Sequence, residues 1–142
     1  MQRTMLTFAL VVAAVTLLAA GCGGGGNDEG GEAGTTTIAG EPASDHGSMD
    51  VSGEEELDLE ADDFYFEPTV LTGSPGQKLM IDIENEGSAS HTFTIDGQDV
   101  DVTVEPGDRA EVEVTFPQSG EIRFYCRFHE AQGMAGALEA SG

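Results

Sequence analysis

The sequence predicts an all-β protein, an antiparallel Greek-key β-sandwich of seven to eight short strands. Three observations support this prediction. From residue 54 onward, apolar and polar residues alternate with a period of two, which is typical of half-buried strands. Turn signals rich in Gly, Pro, Asn and Asp separate the alternating segments. No segment has the periodicity of an amphipathic helix, so a helical fold is not expected.

Each alternating segment places its apolar residues on one face of a predicted strand. The clearest apolar sets are Leu57, Leu59 and Ala61; Leu79, Ile81 and Ile83; Ala110, Val112, Val114 and Phe116; and Ile122, Phe124 and Cys126. The turn signals lie at residues 73–76, 85–88, 96–97, 106–108 and 117–120. We expect the apolar faces to meet between two packed sheets.

The charge balance excludes one class of function. The chain of 142 residues has 27 acidic and 5 basic side chains, a formal net charge of −22. Binding of nucleic acid requires clustered Lys and Arg, so a nucleic-acid-binding protein is excluded. The acids take outward strand positions, as Glu111 and Glu113 do, which favours general solubility or adaptation to salt over a single docking patch.

Residues 1–21 have the features of an export signal. Arg3 is the only charge before residue 28, and residues 7–20 are almost entirely apolar, which is short for a spanning helix and suits a signal peptide. The letters LAAG before Cys22 resemble the lipobox of bacterial lipoproteins. The resemblance implies cleavage after residue 21 and lipid attachment to Cys22. The alternative is an ordinary cleaved signal or an uncleaved anchor, with Cys22 as a bystander.

A tether is predicted to follow the lipidated cysteine. Residues 23–53 hold ten Gly, six acids, no Lys or Arg and no aromatic residue. Such a segment buries too little apolar area to offset its conformational entropy, so we expect residues 22–53 to be disordered. His46 lies inside it and is expected to be exposed, without a role. The folded domain is predicted to span residues 54–142.

Four residues of this domain carry the predicted chemistry. Cys126, His129 and Met134 form a C-x2-H-x4-M pattern, and His91 lies 35 residues before the cysteine. One thiolate, two imidazoles and one thioether are the ligands of a type 1 copper centre, a His₂Cys plane with a weak axial Met. Cys126 shares the inward parity of the apolar residues on its strand, and His91 shares that of Phe93. The sequence therefore predicts one copper ion per chain.

Other interpretations of these residues are less favoured. Taken singly, His91 fits a structural histidine, Cys126 a small apolar side chain and Met134 a gap-filling core residue. Zinc rarely takes a thioether ligand, and a dinuclear copper site would need a second nearby cysteine. Multicopper oxidase or nitrite reductase chemistry would need more histidines. A Cys–His nucleophile would need an orienting third residue. We therefore expect a metal-binding protein and not an enzyme.

The domain resembles the cupredoxins, and the spacing of its C-x2-H-x4-M loop is similar to that of plastocyanins. This resemblance implies that His91, Cys126, His129 and Met134 are the four copper ligands. It also implies that His129 lies at the surface as the route for electrons. A rim for partner docking is then expected around it, formed by Phe128, Ala131 and Gly133.

Two positions depart from the plastocyanin pattern. Phe128 stands where plastocyanins commonly have Pro, and Thr92 stands where they have Asn after the first histidine. A threonine hydroxyl still offers a hydrogen bond to the ligand loop. These departures therefore concern the redox potential more than the identity of the metal.

The resemblance implies a monomeric blue copper protein that carries single electrons between redox proteins of the cytochrome or oxidase type. We expect it to be exported and held by a lipid anchor at the outer face of the cytoplasmic membrane, or to lie in the periplasm. The alternative function is a copper-binding module for storage, delivery or tolerance. Arg123 and Arg127 lie on the segment that carries Cys126 and predict a small basic spot beside the site.

Overall fold

The computed structural model describes residues 34–142; the predicted signal peptide, Cys22 and the first part of the tether lie outside the described residues. The strands are β1 (Gly34–Ile38), β2 (Glu41–Asp45), β3 (Ser48–Asp50), β4 (Glu56–Asp62), β5 (Tyr65–Glu67), β6 (Val70–Gly73), β7 (Lys78–Asn85), β8 (His91–Ile95), β9 (Val100–Val104), β10 (Arg109–Thr115), β11 (Glu121–Tyr125) and β12 (Ala135–Ala140). A single 3-10 turn covers Glu130–Gln132. No helix within residues 34–142 is long and apolar enough to cross a membrane.

Two sheets form the sandwich. One has the strand order β10-β7-β4-β5 and the other β3-β6-β12-β11-β8-β9, while β1 and β2 pair as a separate hairpin. The predicted β-sandwich is confirmed. Residues 54–142 contain nine strands, slightly more than the seven to eight predicted.

Three strand pairs depart from the predicted antiparallel pairing. β4 pairs with β7, β12 with β6 and β3 with β6 in parallel. Alternation in a sequence gives the buried face of each strand but does not choose its neighbour. Parallel neighbours need a long connection, and here the chain passes through β5 and β6 before it returns as β7 beside β4.

Aromatic residues fill the space between the two sheets. The rings of Phe93 and Phe124 stack with centroids 4.8 Å apart, and Phe66 packs edge-on against both. The predicted inward parity is confirmed, since the apolar residues of β7, β10 and β11 join this core. Cys126 and Met134 belong to the same buried cluster. The predicted ligand residues therefore extend from the core.

Residues 34–53 are folded, so the prediction of disorder is wrong for this part of the tether. Ile38 and Ala43 of the hairpin are buried against Ala135 and Ala137 of β12. β3 joins the edge of the six-stranded sheet, and the residue that follows it, Val51, enters the main core. Amino-acid composition describes this segment in isolation from the rest of the chain. The small side chains of β12 leave a surface on which the hairpin buries its few apolar residues, and the domain therefore includes residues before 54.

The expectation of an exposed, unpartnered His46 is also wrong. Its ring stacks on Tyr65 with centroids 3.5 Å apart and an interplanar angle of 5°. Its Nδ1 lies 3.7 Å from Glu67 Oε2, and only 18% of its side chain is exposed. His46 thus helps to fasten the N-terminal segment to β5.

The outer face of β4, β7 and β10 concentrates negative charge. Asp58 of β4 lies directly opposite Asp82 of β7, and Asp82 also faces Glu111 of β10. Arg109 pairs with Asp82 at 3.1 Å and with Asp58 at 3.7 Å, so it offsets part of this repulsion. Like charges directly opposite each other destabilise a sheet. Acids outnumber bases on this face, so repulsion outweighs the ion pairs.

We expect the thermal stability to rise with salt. Increasing NaCl from about 0.01 M to 1 M shortens the Debye length from about 30 Å to about 3 Å and screens these exposed charges. Thermal unfolding followed by circular dichroism should show a higher Tm in high salt. Glu111→Gln should raise Tm in low salt and reduce the salt dependence. A Tm that falls as salt is added would mean that the ion pairs of Arg109 dominate instead.

Candidate metal centre

The four predicted ligand residues lie where two neighbouring strands meet a short loop. His91 is the first residue of β8, and Cys126 directly follows β11, its neighbour in the sheet. His129 precedes the 3-10 turn and Met134 precedes β12. Two strand ends therefore supply one ligand each, and the loop between β11 and β12 supplies the other two.

Three donor atoms converge. Nδ1 of His91 lies 3.1 Å from Nδ1 of His129. Cys126 Sγ lies 3.5 Å from Nδ1 of His129 and 3.9 Å from Nδ1 of His91. Both histidines thus turn the same ring nitrogen toward the thiol. The sequence prediction that His91, Cys126 and His129 come together agrees with this geometry.

Met134 closes the loop beneath these residues. Its carbonyl oxygen accepts a hydrogen bond from the Cys126 N–H at 3.0 Å, and its own N–H donates to the His129 carbonyl at 3.2 Å. Gly133 allows this return because its φ of 86° lies in the left-handed region, which favours glycine. The side chain of Met134 is fully buried with Cys126. The Met134 side chain therefore belongs to the same part of the core as Cys126.

This donor set fits one type 1 copper ion. Nitrogen and sulfur ligands that share one small ion, at about 2.0–2.3 Å, lie roughly 3–4 Å from one another, as the three donor atoms do here. A soft thiolate, two imidazoles and a buried methionine match copper better than zinc. The backbone N–H of Thr92 donates to Cys126 Sγ at 3.3 Å, which stabilises negative charge on the sulfur.

His91 is buried, and its second ring nitrogen faces a carboxylate. Burial, followed by the proximity of His129, lowers the pKa of His91, which keeps the imidazole neutral and able to bind a metal. Its Nε2 lies 3.3 Å from Asp63 Oδ1. The hydroxyl and then the backbone N–H of Ser88 lower the pKa of Asp63 to about 2, so this carboxylate is ionised at neutral pH.

A hydrogen-bonded ring joins the two strands that carry ligands. The Arg127 N–H donates to Thr92 Oγ1 at 2.8 Å, so the hydrogen bond expected of this threonine is present. Thr94 Oγ1 lies 3.2 Å from Thr92 Oγ1 and donates to Asp101 at 2.9 Å. Asp101 also accepts from Arg127 Nε at 3.0 Å. The residues next to His91 and Cys126 are therefore held together by one closed network.

The predicted basic spot beside the site is neutralised. Arg127 pairs with Asp101, and Arg123 pairs with Glu130 at 2.6 Å with only 17% of its side chain exposed. Neither guanidinium presents a free positive charge.

Sequence reasoning missed three residues that contact the site. Phe64 packs edge-on against His129 with ring centroids 4.8 Å apart, from a backbone φ of 88° that is rare for a bulky residue. Asp63 faces His91, and Ser44 of the hairpin donates its N–H to the Gly133 carbonyl at 2.9 Å. Asp63 is one of 27 acids, and nothing in the sequence separates it from the others.

Comparison with known families and structures gives one family and one fold. The model of the cupredoxin-like domain family matches residues 35–138. No curated protein matches the chain significantly. The family match includes the hairpin, in agreement with the folded state of residues 34–53.

Similar solved structures share the fold at low sequence identity. A reduced auracyanin from the photosynthetic bacterium Roseiflexus castenholzii is 15% identical, with a TM-score of 0.53 over 63% of this chain and 98% of its own. Auracyanin B is 17% identical, with a TM-score of 0.53 over 63% and 90%. A chain of a heme-copper terminal oxidase dimer is 18% identical, with a TM-score of 0.53 over 82% and 76%. At these identities the likeness establishes the fold alone.

Proposed function

This chain belongs to the cupredoxin-like domain family, and on that premise we propose that it carries single electrons through one type 1 copper ion. Cys126 would supply a thiolate ligand, His91 and His129 would each supply an imidazole nitrogen, and Met134 would supply a thioether. Copper held in this way supplies a reversible one-electron couple. The observation that carries the proposal is the convergence of the two Nδ1 atoms and Sγ in one cluster.

The burial pattern supports a carrier that exchanges electrons at one edge. His91, Cys126 and Met134 are buried, whereas His129 is partly exposed. Side chains from the core hold the site, which limits rearrangement when the oxidation state changes. The same burial makes rapid release of the ion difficult, so the structure favours electron transfer over copper storage or delivery. Fast transfer of copper from this chain to an apo acceptor protein would instead support a role in copper storage or delivery.

We propose that redox proteins of the cytochrome or oxidase type dock around His129. Phe128 is 52% exposed and Phe64 is 41% exposed, on a surface where few large apolar residues are exposed. Ala131 is exposed in the adjoining 3-10 turn. Exposed apolar side chains suit a transient electron-transfer contact, which buries little area and must release quickly. The chain would act as a carrier, not as a catalyst.

We expect Ala131→Glu to slow electron exchange with such partners. The added carboxylate places a charge in the contact surface, and unpaired charge at an interface weakens association. Stopped-flow oxidation of the reduced protein by a soluble c-type cytochrome should show a rate constant lower by about tenfold, since ~1.4 kcal/mol corresponds to a factor of ten. Met49→Glu, on edge strand β3, is the matched control and should leave the rate unchanged. Equal rates for all three proteins would remove the docking proposal.

We also propose that the chain is exported and lipid-anchored through Cys22. The apolar stretch of residues 7–20 and the lipobox-like letters before Cys22 support this proposal. Such a chain would lie at the outer face of the cytoplasmic membrane or in the periplasm, as a monomer. The intact mass of protein purified from membranes tests it, because processing would make a diacylated Cys22 the first residue. An unmodified N-terminus at any other residue would contradict it.

A further inference from the structure

The second ring nitrogen of His91 has no hydrogen-bond partner among the described residues, although it is buried. Its nearest polar neighbour is Asp63 Oδ1, at 3.3 Å. Asp63 lies in the turn between β4 and β5, outside the four ligand residues. The two groups are close enough to interact, and a hydrogen bond from Nε2–H to this carboxylate would give the buried nitrogen a partner. Burial of an N–H without an acceptor is unfavourable, so formation of this hydrogen bond is favoured.

The carboxylate of Asp63 is held in place by the loop before β8. The Ser88 N–H donates to both carboxylate oxygens, at 3.0 and 3.1 Å, and the Ser88 hydroxyl donates to Oδ2. The Ala89 N–H donates to Oδ1 at 3.1 Å. Three donors from two residues fix the rotamer of Asp63, so the group that faces His91 is oriented before any metal binds.

A glycine makes this approach possible. A Cβ atom at Gly87 would lie 2.5 Å from Asp63 Oδ1 and 3.0 Å from His91 Nε2. Any larger residue would push the carboxylate and the imidazole apart. The residue after Asp63 is Phe64, whose ring packs on His129. The turn of residues 63–64 therefore contacts both histidines, one through a carboxylate and the other through an aromatic ring.

We propose that Asp63 is a positioning residue of the copper site, accepting a hydrogen bond from His91 Nε2–H and favouring Cu(II) over Cu(I). A metal-binding histidine that donates its other N–H to a carboxylate has a fixed tautomer, a fixed ring orientation and a more basic ligand nitrogen. A nearby negative charge stabilises the ion of higher charge more strongly. This inference rests on the proposed function, since it concerns the same site.

The test compares Asp63→Asn and Asp63→Ala with Glu86→Gln in the full chain. Glu86 lies in the loop before β8 that holds Asp63, and it is exposed, so its replacement is a matched removal of one negative charge. Competition titrations measure the affinities for Cu(II) and Cu(I), and voltammetry measures the potential. We expect Asp63→Ala to weaken Cu(II) binding by about 10–100-fold. The loss of Cu(I) affinity should be smaller. Each factor of ten by which the loss of Cu(II) affinity exceeds the loss of Cu(I) affinity raises the reduction potential by about 59 mV.

Asp63→Asn separates charge from geometry. Its amide oxygen can still accept the hydrogen bond, so the absorption spectrum should stay close to that of the wild type while the potential rises. A second measurement follows the His91 Nε2–H signal by NMR in the Cu(I) protein. That proton should exchange slowly in the wild type and in Asp63→Asn, and quickly in Asp63→Ala. Glu86→Gln should change neither the exchange nor the potential appreciably.

The outcomes distinguish this inference from the proposed function. A wild-type chain that forms no blue copper site overturns both. A blue wild type whose potential and Nε2–H exchange are unchanged in both Asp63 variants overturns only the role of Asp63. Equal positive shifts in the Glu86 and Asp63 variants also overturn it, because they would show a general charge effect. If Asp63→Ala does not fold, Asp63→Asn still decides the question through its potential.

Discussion

Replacing Cys126 with serine is expected to abolish the intense blue absorption that forms when Cu(II) is added to the wild-type chain. The band arises from the bond between the thiolate and Cu(II), and a serine hydroxyl is a hard ligand that does not replace it. Among the described residues Cys126 is the only cysteine, so no neighbouring side chain can supply a second thiolate. We expect complete loss of the band and of the narrow copper hyperfine splitting, measured by absorption and electron paramagnetic resonance spectroscopy.

The other cysteine provides the matched control. Cys22→Ser removes the second thiol of the chain and should leave the blue band at full intensity. The Cys126→Ser chain should still fold, because the change conserves volume and costs about 1–3 kcal/mol for burying a hydroxyl. Circular dichroism of the apo proteins checks this. A colourless copper complex of the wild type would contradict the type 1 assignment, as would a blue band that survives in Cys126→Ser.

The sequence was sufficient to predict the sandwich and the clustering of His91, Cys126 and His129, because both predictions rest on patterns that are visible in short segments. Alternation in β7, β10 and β11 identifies buried faces without knowledge of the partner strands. The loop from Cys126 to Met134 is nine residues long, so its spacing constrains where His129 and Met134 can lie. His91 could be included because it shares parity with Phe93 and because the domain offers few other histidines.

The parts that sequence reasoning missed depend on contacts between distant segments. The hairpin of β1 and β2 buries its apolar residues against Ala135 and Ala137 of β12, and composition does not reveal such a surface. Parallel pairing of β4 with β7 has no signature in either strand alone. Asp63 is distinguished by its position beside His91, which only the fold reveals. In the sequence it is one of 27 acidic residues.

Gly136→Ala is expected to cause the largest loss of stability among single-methyl additions to the core. Gly136 of β12 lies directly opposite Phe124 of β11. An added Cβ would lie 2.1 Å from the Phe124 ring and 2.4 Å from the Thr69 carbonyl oxygen. The ring is packed between Phe66 and Phe93, and the carbonyl oxygen is held by the Ala137 N–H at 3.0 Å. Neither neighbour can move without breaking other contacts.

Overpacking of this kind costs typically about 1–3 kcal/mol and sometimes more, and the backbone contact places Gly136→Ala at or above the upper end. For a domain of this size we expect Tm to fall by about 10 °C or more. Gly142→Ala is the control, because a Cβ there meets nothing within 4 Å. The double variant Gly136→Ala/Phe124→Leu should recover part of the loss, since a smaller side chain at position 124 relieves the ring contact but not the contact with Thr69. If the stability loss of the double variant equals the sum of the losses of the two single variants, the contact with the Phe124 ring is not the source of the strain.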